Sequence, residues 1–142
     1  MKQVDDNFFS HSFQSGGLKF ITPLKAYPLC LQGTLLIDLR PDYEGAFKRP
    51  DVPELMLIPY TEIDEHLSEI PLERDIILAD CVGIRSKEVM ILLHTKGYTR
   101  LLSLAGGFVD WERDGLPIKV DLSERLTGSC MCQLKPRENK KQ

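Results

Sequence analysis

Residues 75–97 read DIILADCVGIRSKEVMILLHTKG, and this stretch decides the fold. Asp75 to Ala79 is a short apolar run, the mark of a strand buried on both faces. Asp80 to Ile84 is a tight loop around Gly83. From Arg85 to Lys96 the residues Val89, Met90, Leu92 and Leu93 recur at helical spacing, and Gly97 supplies the stop. Strand, short loop and helix in this order form the unit of an open α/β sheet. Such sheets hold ligands beyond the carboxyl ends of their strands. Successive loop N–H groups and the helix N-terminus together make a cup for an anion. A cysteine at the mouth of that cup, here Cys81, is favoured as a thiolate.

The same alternation extends outward. Lys19 to Ile21 reads as a short strand, and Thr22-Pro23 as the N-cap and first residue of a helix ending at Gly33. Pro28 falls inside that helix and predicts a short, kinked or split element. Thr34 to Leu39 and Leu55 to Ile58 read as buried strands, with a charged, proline-bounded loop between them. Thr61 to Asp64 carries a capping-box pattern, and Ile63, Leu67 and Ile70 share one helical face up to Pro71. Arg100 to Leu104 is a fourth strand. Gly106-Gly107 then makes a turn into a short amphipathic helix over Phe108 to Arg113, and Pro117 opens the tail. Strands alternating with helices predict a parallel-type sheet covered on both faces.

The chain has 142 residues, enough for one domain with a real core and short for two. With 18 Lys and Arg against 21 Asp and Glu, the net charge is −3, which gives no argument for nucleic acid or an anionic membrane. No apolar run approaches the roughly 20 residues of a membrane helix, and no secretory signal is legible. The four cysteines do not read as a disulfide framework without such a signal, so a reducing cytoplasm is expected.

The ordered motifs resemble the rhodanese-like family. They are Ile37-Asp38-Leu39-Arg40, the loop Gly83-Ile84-Arg85-Ser86, and Gly97-Tyr98. Leu104-Ala105-Gly106-Gly107, Trp111 and Gly115-Leu116-Pro117 complete the set. The resemblance covers about residues 19 to 120. It implies a rhodanese-like α/β fold, with a central five-stranded, mostly parallel sheet flanked by helices on both faces. It also implies sulfurtransferase chemistry through a cysteine persulfide held in the loop. The active-site loop so implied comprises Asp80, Cys81, Val82, Gly83, Ile84, Arg85 and Ser86.

One departure stands out. Active members carry Cys-x4-Arg, and counting back from Arg85 places Asp80, not Cys81, at the nucleophile position. A carboxylate there accepts the N–H groups itself and cannot take up a sulfane sulfur. Two readings follow. In one, the domain lacks standard thiosulfate sulfurtransferase activity and binds a small anion, a thiol compound or a protein at the Asp80–Arg85 loop. In the other, Cys81 is a displaced catalytic nucleophile, with Arg85 stabilising an anionic sulfur and Cys130 or Cys132 as relay. A related phosphatase family needs a loop longer by one residue, so phosphatase chemistry is not expected. The stretch Phe47 to Pro59 also lacks the Gly-His-Ile element common in the family, which weakens any transfer of substrate contacts on that side.

The remaining candidates have plainer readings. Cys130-Met131-Cys132 is a redox or relay pair, or two thiols in a tail. Cys30, in Leu29-Cys30-Leu31, reads as a buried small hydrophobe. His11, His66 and His94 lack metal-pair spacing, and no metal or nucleotide cofactor is expected. Asp38 and Arg40 are read as facing opposite sides of the strand end, with one of them pointing toward the loop region and helping to orient it, and as structural rather than catalytic. The chain thus divides into a polar leader over 1–18, the α/β domain over 19–120, and a tail over 121–142 with a basic end.

Overall fold

The computed structural model describes residues 7–41 and 48–120. Eight strands and three α-helices alternate. In chain order they are β1 (Phe13–Ser15), β2 (Leu18–Ile21), α1 (Pro23–Leu31), β3 (Leu35–Asp38), β4 (Lys48–Pro50) and β5 (Leu55–Leu57). Then come β6 (Ile76–Ala79), α2 (Arg85–Thr95), β7 (Leu101–Leu104), α3 (Gly107–Arg113) and β8 (Ile118–Val120). The main sheet has six strands in the order β1-β2-β7-β6-β3-β5. Five of them run parallel, as the family resemblance implied, and β1 adds an antiparallel edge through the Gly16-Gly17 turn. Of the two readings of the leader, loosely held or paired at a sheet edge, Phe13, Gln14 and Ser15 take the second, and Phe8 ahead of them is buried.

Residue alternation along the central strands splits the core in two. Ile77 and Ala79 of β6 and Leu102 and Leu104 of β7 face α1 and α3, where they meet Ala26, Leu29, Phe108 and Trp111. Ile76 and Leu78, with Leu101, face α2 through Val89, Met90 and Leu93. Both faces are covered, which explains the unbroken apolar runs in these strands.

Several expectations need correction. Residues 60–70 form two 3₁₀ turns, Tyr60–Glu62 and Asp64–Glu69, rather than an α-helix. Between Pro59 and Pro71, i→i+3 bonds such as His66 N–H to Ile63 C=O (3.0 Å) close the segment. Ile63 and Ile70 are buried as the face predicted, and the capping box makes no side-chain bond. Helix α1 is short, as one of the expected outcomes had it, and its nine residues run through Pro28 without a split. Strand β5 is an edge strand with Leu57 exposed, so its apolar run is not a buried core strand. The supposed loop and tail each hold a short strand: β4 pairs with β8 in a separate antiparallel ribbon. Tertiary pairing, not local propensity, makes this ribbon, so no periodicity announced it.

No helix among the described residues is long and apolar enough to cross a membrane. Truncating Ile77, fully buried at the sheet centre, to Ala is expected to cost about 2–5 kcal/mol in urea unfolding. Ile91→Ala, on the exposed face of α2, should stay within about 0.5 kcal/mol.

Candidate active-site cleft

Three parallel strands end side by side, and their following residues build one cleft. Strand β6 ends at Ala79, and Asp80 follows, 4% exposed. Its Oδ1 accepts the Gly83 N–H at 2.8 Å, and its Oδ2 accepts the Arg85 N–H at 2.9 Å. The carboxylate thus sits inside the cup that the loop amides form, as the anion-cup argument anticipated for a carboxylate at this position. Gly83 makes the turn possible with φ +95°, a region that side-chain-bearing residues rarely enter.

The loop is clamped from behind. Phe108 N–H donates to the Asp80 carbonyl (2.9 Å) and Val109 N–H to the Cys81 carbonyl (3.0 Å). Gly107 lies so close that a Cβ there would overlap both carbonyl oxygens. The Gly106-Gly107 turn is therefore the seat of the loop, a role the sequence reading missed. The pair of glycines was the available signal, since two in a row mark close backbone approach. Ser86, in the first turn of α2, is buried and shares a hydrogen bond with Ser103 of β7 (Oγ to Oγ, 2.6 Å).

The resulting cleft has a volume of about 420 Å³. Asp80, Cys81 and Arg85 line it from the loop, with Arg40 and Tyr60 from the neighbouring strand ends. Val82 and Ile84 also line it and are more than half exposed, so its rim is apolar. Of the seven loop residues singled out by sequence, five line the cleft, while Gly83 and Ser86 shape it from within the backbone and core. Cys130 and Cys132 lie outside the described residues.

Two guanidiniums flank the cleft. Arg85 lies over the Tyr60 ring at 4.6 Å and pairs with Glu88 at 3.3 Å. Tyr60 is there because its N–H bonds the Leu39 carbonyl (2.9 Å) at the end of β3. Arg40 is the more confined, with an 8% exposed side chain. Its Nε and Nη2 donate to the two oxygens of Asp38 (3.0 and 2.8 Å), and Nη2 also reaches the Lys48 carbonyl (2.7 Å). The guanidinium stacks on the Phe108 ring at 4.3 Å.

Asp38 and Arg40 are therefore partners, not residues on opposite sides. Positions two apart on a strand share a face, and the chain bends only after Asp38. Burial pulls the Arg40 pKa down, but the hydrogen bond and charge of Asp38, with smaller contributions from the nearby Cys81 and Glu112 side chains, more than offset this and hold it above its ordinary value. Sequence reasoning gave Arg40 only a structural role and did not mention Tyr60 at the site. Both follow carboxyl ends of strands, which was the usable signal.

Other candidates settle plainly. Cys30 is fully buried, and desolvation pushes its thiol up to about 12, which makes it inert as a nucleophile. Glu62, Glu65 and His66 bring ligand atoms within 4.8 Å of one another, a grouping the sequence spacing did not suggest. They stand on a half-exposed turn where His66 already contacts Glu62 and Glu69.

Comparison with known proteins now decides the family. The profile of the rhodanese-like domain matches residues 27–114. The chain belongs to the rhodanese-like family. A sulfurtransferase of Allochromatium vinosum is 37% identical over 87 residues, which is 61% of this chain and 79% of that protein. A thiosulfate sulfurtransferase, GlpE, of Actinobacillus pleuropneumoniae is 30% identical over 101 residues, 70% of this chain and 92% of that one. Among solved structures, a rhodanese-like domain protein from Staphylococcus aureus superposes with a TM-score of 0.61 at 27% identity, over 70% of this chain and 96% of that one. A rhodanese-like domain from Anabaena shares the fold with a TM-score of 0.65 at 18% identity, over 75% of this chain and 82% of its own.

Replacing Asp80 by Ala removes the acceptor from two loop N–H groups in a part-buried setting. The expected loss is about 1–3 kcal/mol per group left unsatisfied, less where water enters. Urea unfolding followed by Trp111 fluorescence measures it, and an unchanged midpoint would mean the carboxylate does not hold the loop.

Proposed function

We propose that this rhodanese-like domain lacks standard thiosulfate sulfurtransferase activity and uses the cleft at the Asp80–Arg85 loop to bind a small anion, a thiol compound or a protein partner. One observation carries the reading. The carboxylate of Asp80 already accepts the Gly83 and Arg85 N–H groups, the donors that would otherwise stabilise a bound sulfur anion. Asp80 stands where the family's nucleophilic cysteine aligns by spacing, and a carboxylate forms no persulfide. The paired cations Arg40 and Arg85 and the apolar rim of Val82 and Ile84 suit an anion with an apolar body, or a protein surface around one. The reading requires no metal or resident cofactor, no nucleic acid and no membrane. It fits a reducing cytoplasm, where thiols persist as thiols.

A second reading has its own support. Cys81 lines the cleft beside the two guanidiniums of Arg40 and Arg85. On this reading the domain is a sulfurtransferase carrying a Cys81 persulfide, with transfer onward to Cys130 or Cys132. The named activity of the relatives, sulfurtransferase and thiosulfate sulfurtransferase, adds weight to it.

Intact mass after incubation with thiosulfate, and separately with a low-molecular-weight persulfide, separates the two. The first reading expects no cyanide-sensitive gain of sulfur. A gain of one sulfur atom that is absent in Cys81→Ser overturns it in favour of the second. A gain that survives Cys81→Ser but disappears when Cys130 and Cys132 are replaced overturns it in favour of chemistry in the tail.

A further inference from the structure

The turn segment between Pro59 and Pro71 carries side chains that the loop chemistry does not use. Ile63 and Ile70 point into the core at 1% and 3% exposure. The Tyr98 hydroxyl donates to the Ile70 carbonyl at 2.7 Å and ties the end of the segment to the core. This anchoring leaves Glu62, Glu65, His66 and Glu69 on the outer side, half-buried or exposed. Positions three and four apart are neighbours on such turns, so the four side chains stand together.

Three of them converge. A carboxylate oxygen of Glu62, one of Glu65 and a ring nitrogen of His66 lie within 4.8 Å of one another. His66 Nε2 is 3.6 Å from Glu62 Oε1. The other ring nitrogen is engaged from outside this group: Nδ1 lies 3.1 Å from Glu69 Oε2. With Nδ1–H donated to Glu69, the free lone pair of the ring is on Nε2, which faces Glu62. A carboxylate behind the ring is the arrangement that fixes tautomer and orientation in metal-bound histidines.

The carboxylates crowd here without a permanent cation. Among the described residues, no lysine or arginine pairs with Glu62, Glu65 or Glu69, and His66 is the partner that Glu62 and Glu69 share. Like charges held this close repel, and a dication between them removes the repulsion. One imidazole with two carboxylates suits zinc and its first-row neighbours, whereas calcium and magnesium take oxygen ligands throughout. Zinc bonds of about 2.0–2.2 Å at tetrahedral angles set ligand atoms roughly 3.3 Å apart. The 3.6 Å between Nε2 and Glu62 is already near that spacing, and rotation of the exposed Glu65 side chain closes the rest while the anchored backbone stays in place. Three protein ligands leave the fourth position to water.

We propose that Glu62, Glu65 and His66 bind one divalent cation of the zinc class, with Glu69 as the positioning residue that holds the imidazole through Nδ1. The sequence reading looked for spaced histidines and passed over this group, because the partner of His66 is a glutamate four residues earlier. The site is outside the cleft and rests on neither reading of it. It adjoins the cleft through Tyr60, which begins the same segment and lies under Arg85. A cation here pins the segment that supplies that wall.

The test is carbethoxylation of histidines by diethylpyrocarbonate in the full chain, with and without zinc chloride, mapped residue by residue by mass spectrometry. The reagent acylates a free ring nitrogen, and a bound cation blocks it. Reading His66 itself keeps zinc held by cysteines out of the result, and the exposed His11 is the control in the same digest. His66 is expected to be protected at free zinc below about 0.1 mM, while His11 goes on reacting. Glu69→Gln should raise the zinc concentration for half-protection by about 10–100-fold without moving the urea midpoint. Glu62→Gln with Glu65→Gln should abolish protection in that range. His66 left unprotected in the unsubstituted protein overturns the proposal, whatever the variants do. Protection that survives loss of both glutamates also overturns it, since a lone surface imidazole then accounts for the binding. Protection that needs the glutamates but not Glu69 overturns the positioning role.

Discussion

Two backbone N–H groups converging on one buried carboxylate organise the working end of this domain. The bonds from Gly83 and Arg85 to Asp80 fix the loop's curvature and seat the first residue of α2. They also determine what the loop can no longer do. A cup of amides offers a site to one anion at a time, and here a side chain of the protein is that anion. From this constraint follows the division between a binding role and a displaced nucleophile. Behind the loop, the contact of Gly107 with the Asp80 and Cys81 carbonyls leaves little room for the backbone to shift register. Recovering a different loop geometry would require the 106–107 turn to move as well.

Much of the fold was legible because its central strands are buried on both sides. Ile76-Ile77-Leu78 and Leu101-Leu102 carry enough apolar residues to declare themselves without any periodicity. Helix α2 was equally clear, since Val89, Met90 and Leu93 face the sheet and Gly97 ends it with φ +98°. The β4–β8 ribbon was not legible. Lys48, Arg49 and Pro50 have weak strand propensity, and their order comes from Lys119 and its neighbours some 70 residues later. The 60–70 segment was also misread: its buried residues Ile63 and Ile70 obey helical spacing, yet they flank the 3₁₀ stretch Asp64–Glu69 rather than sharing one face of an α-helix.

The candidate site was half legible. Asp80 and its amide partners followed from the order of strand, loop, glycine and helix, because that order leaves few places for the N–H groups to point. Arg40 followed only in part, since one of Asp38 and Arg40 was expected to point toward the loop but not which. Its guanidinium reaches the cleft because Asp38 and the Lys48 carbonyl hold it there, and Lys48 belongs to the ribbon that sequence could not place. A side chain positioned by long-range pairing is invisible to any reading that proceeds along the chain. Family membership, carried by residues 27–114, speaks to the scaffold, while the chemistry depends on which residue occupies the cup.

The hydroxyl pair Ser86–Ser103 joins the start of α2 to the middle of β7, and both residues are fully buried. Each hydroxyl is the other's partner in the interior, so neither position can drift alone without leaving a polar group stranded. A change to two small apolar residues removes both polar atoms together and costs far less than either single step implies. The two sites, 17 positions apart in the chain, therefore form a single unit of sequence variation. A substitution at one is a constraint on the history of the other.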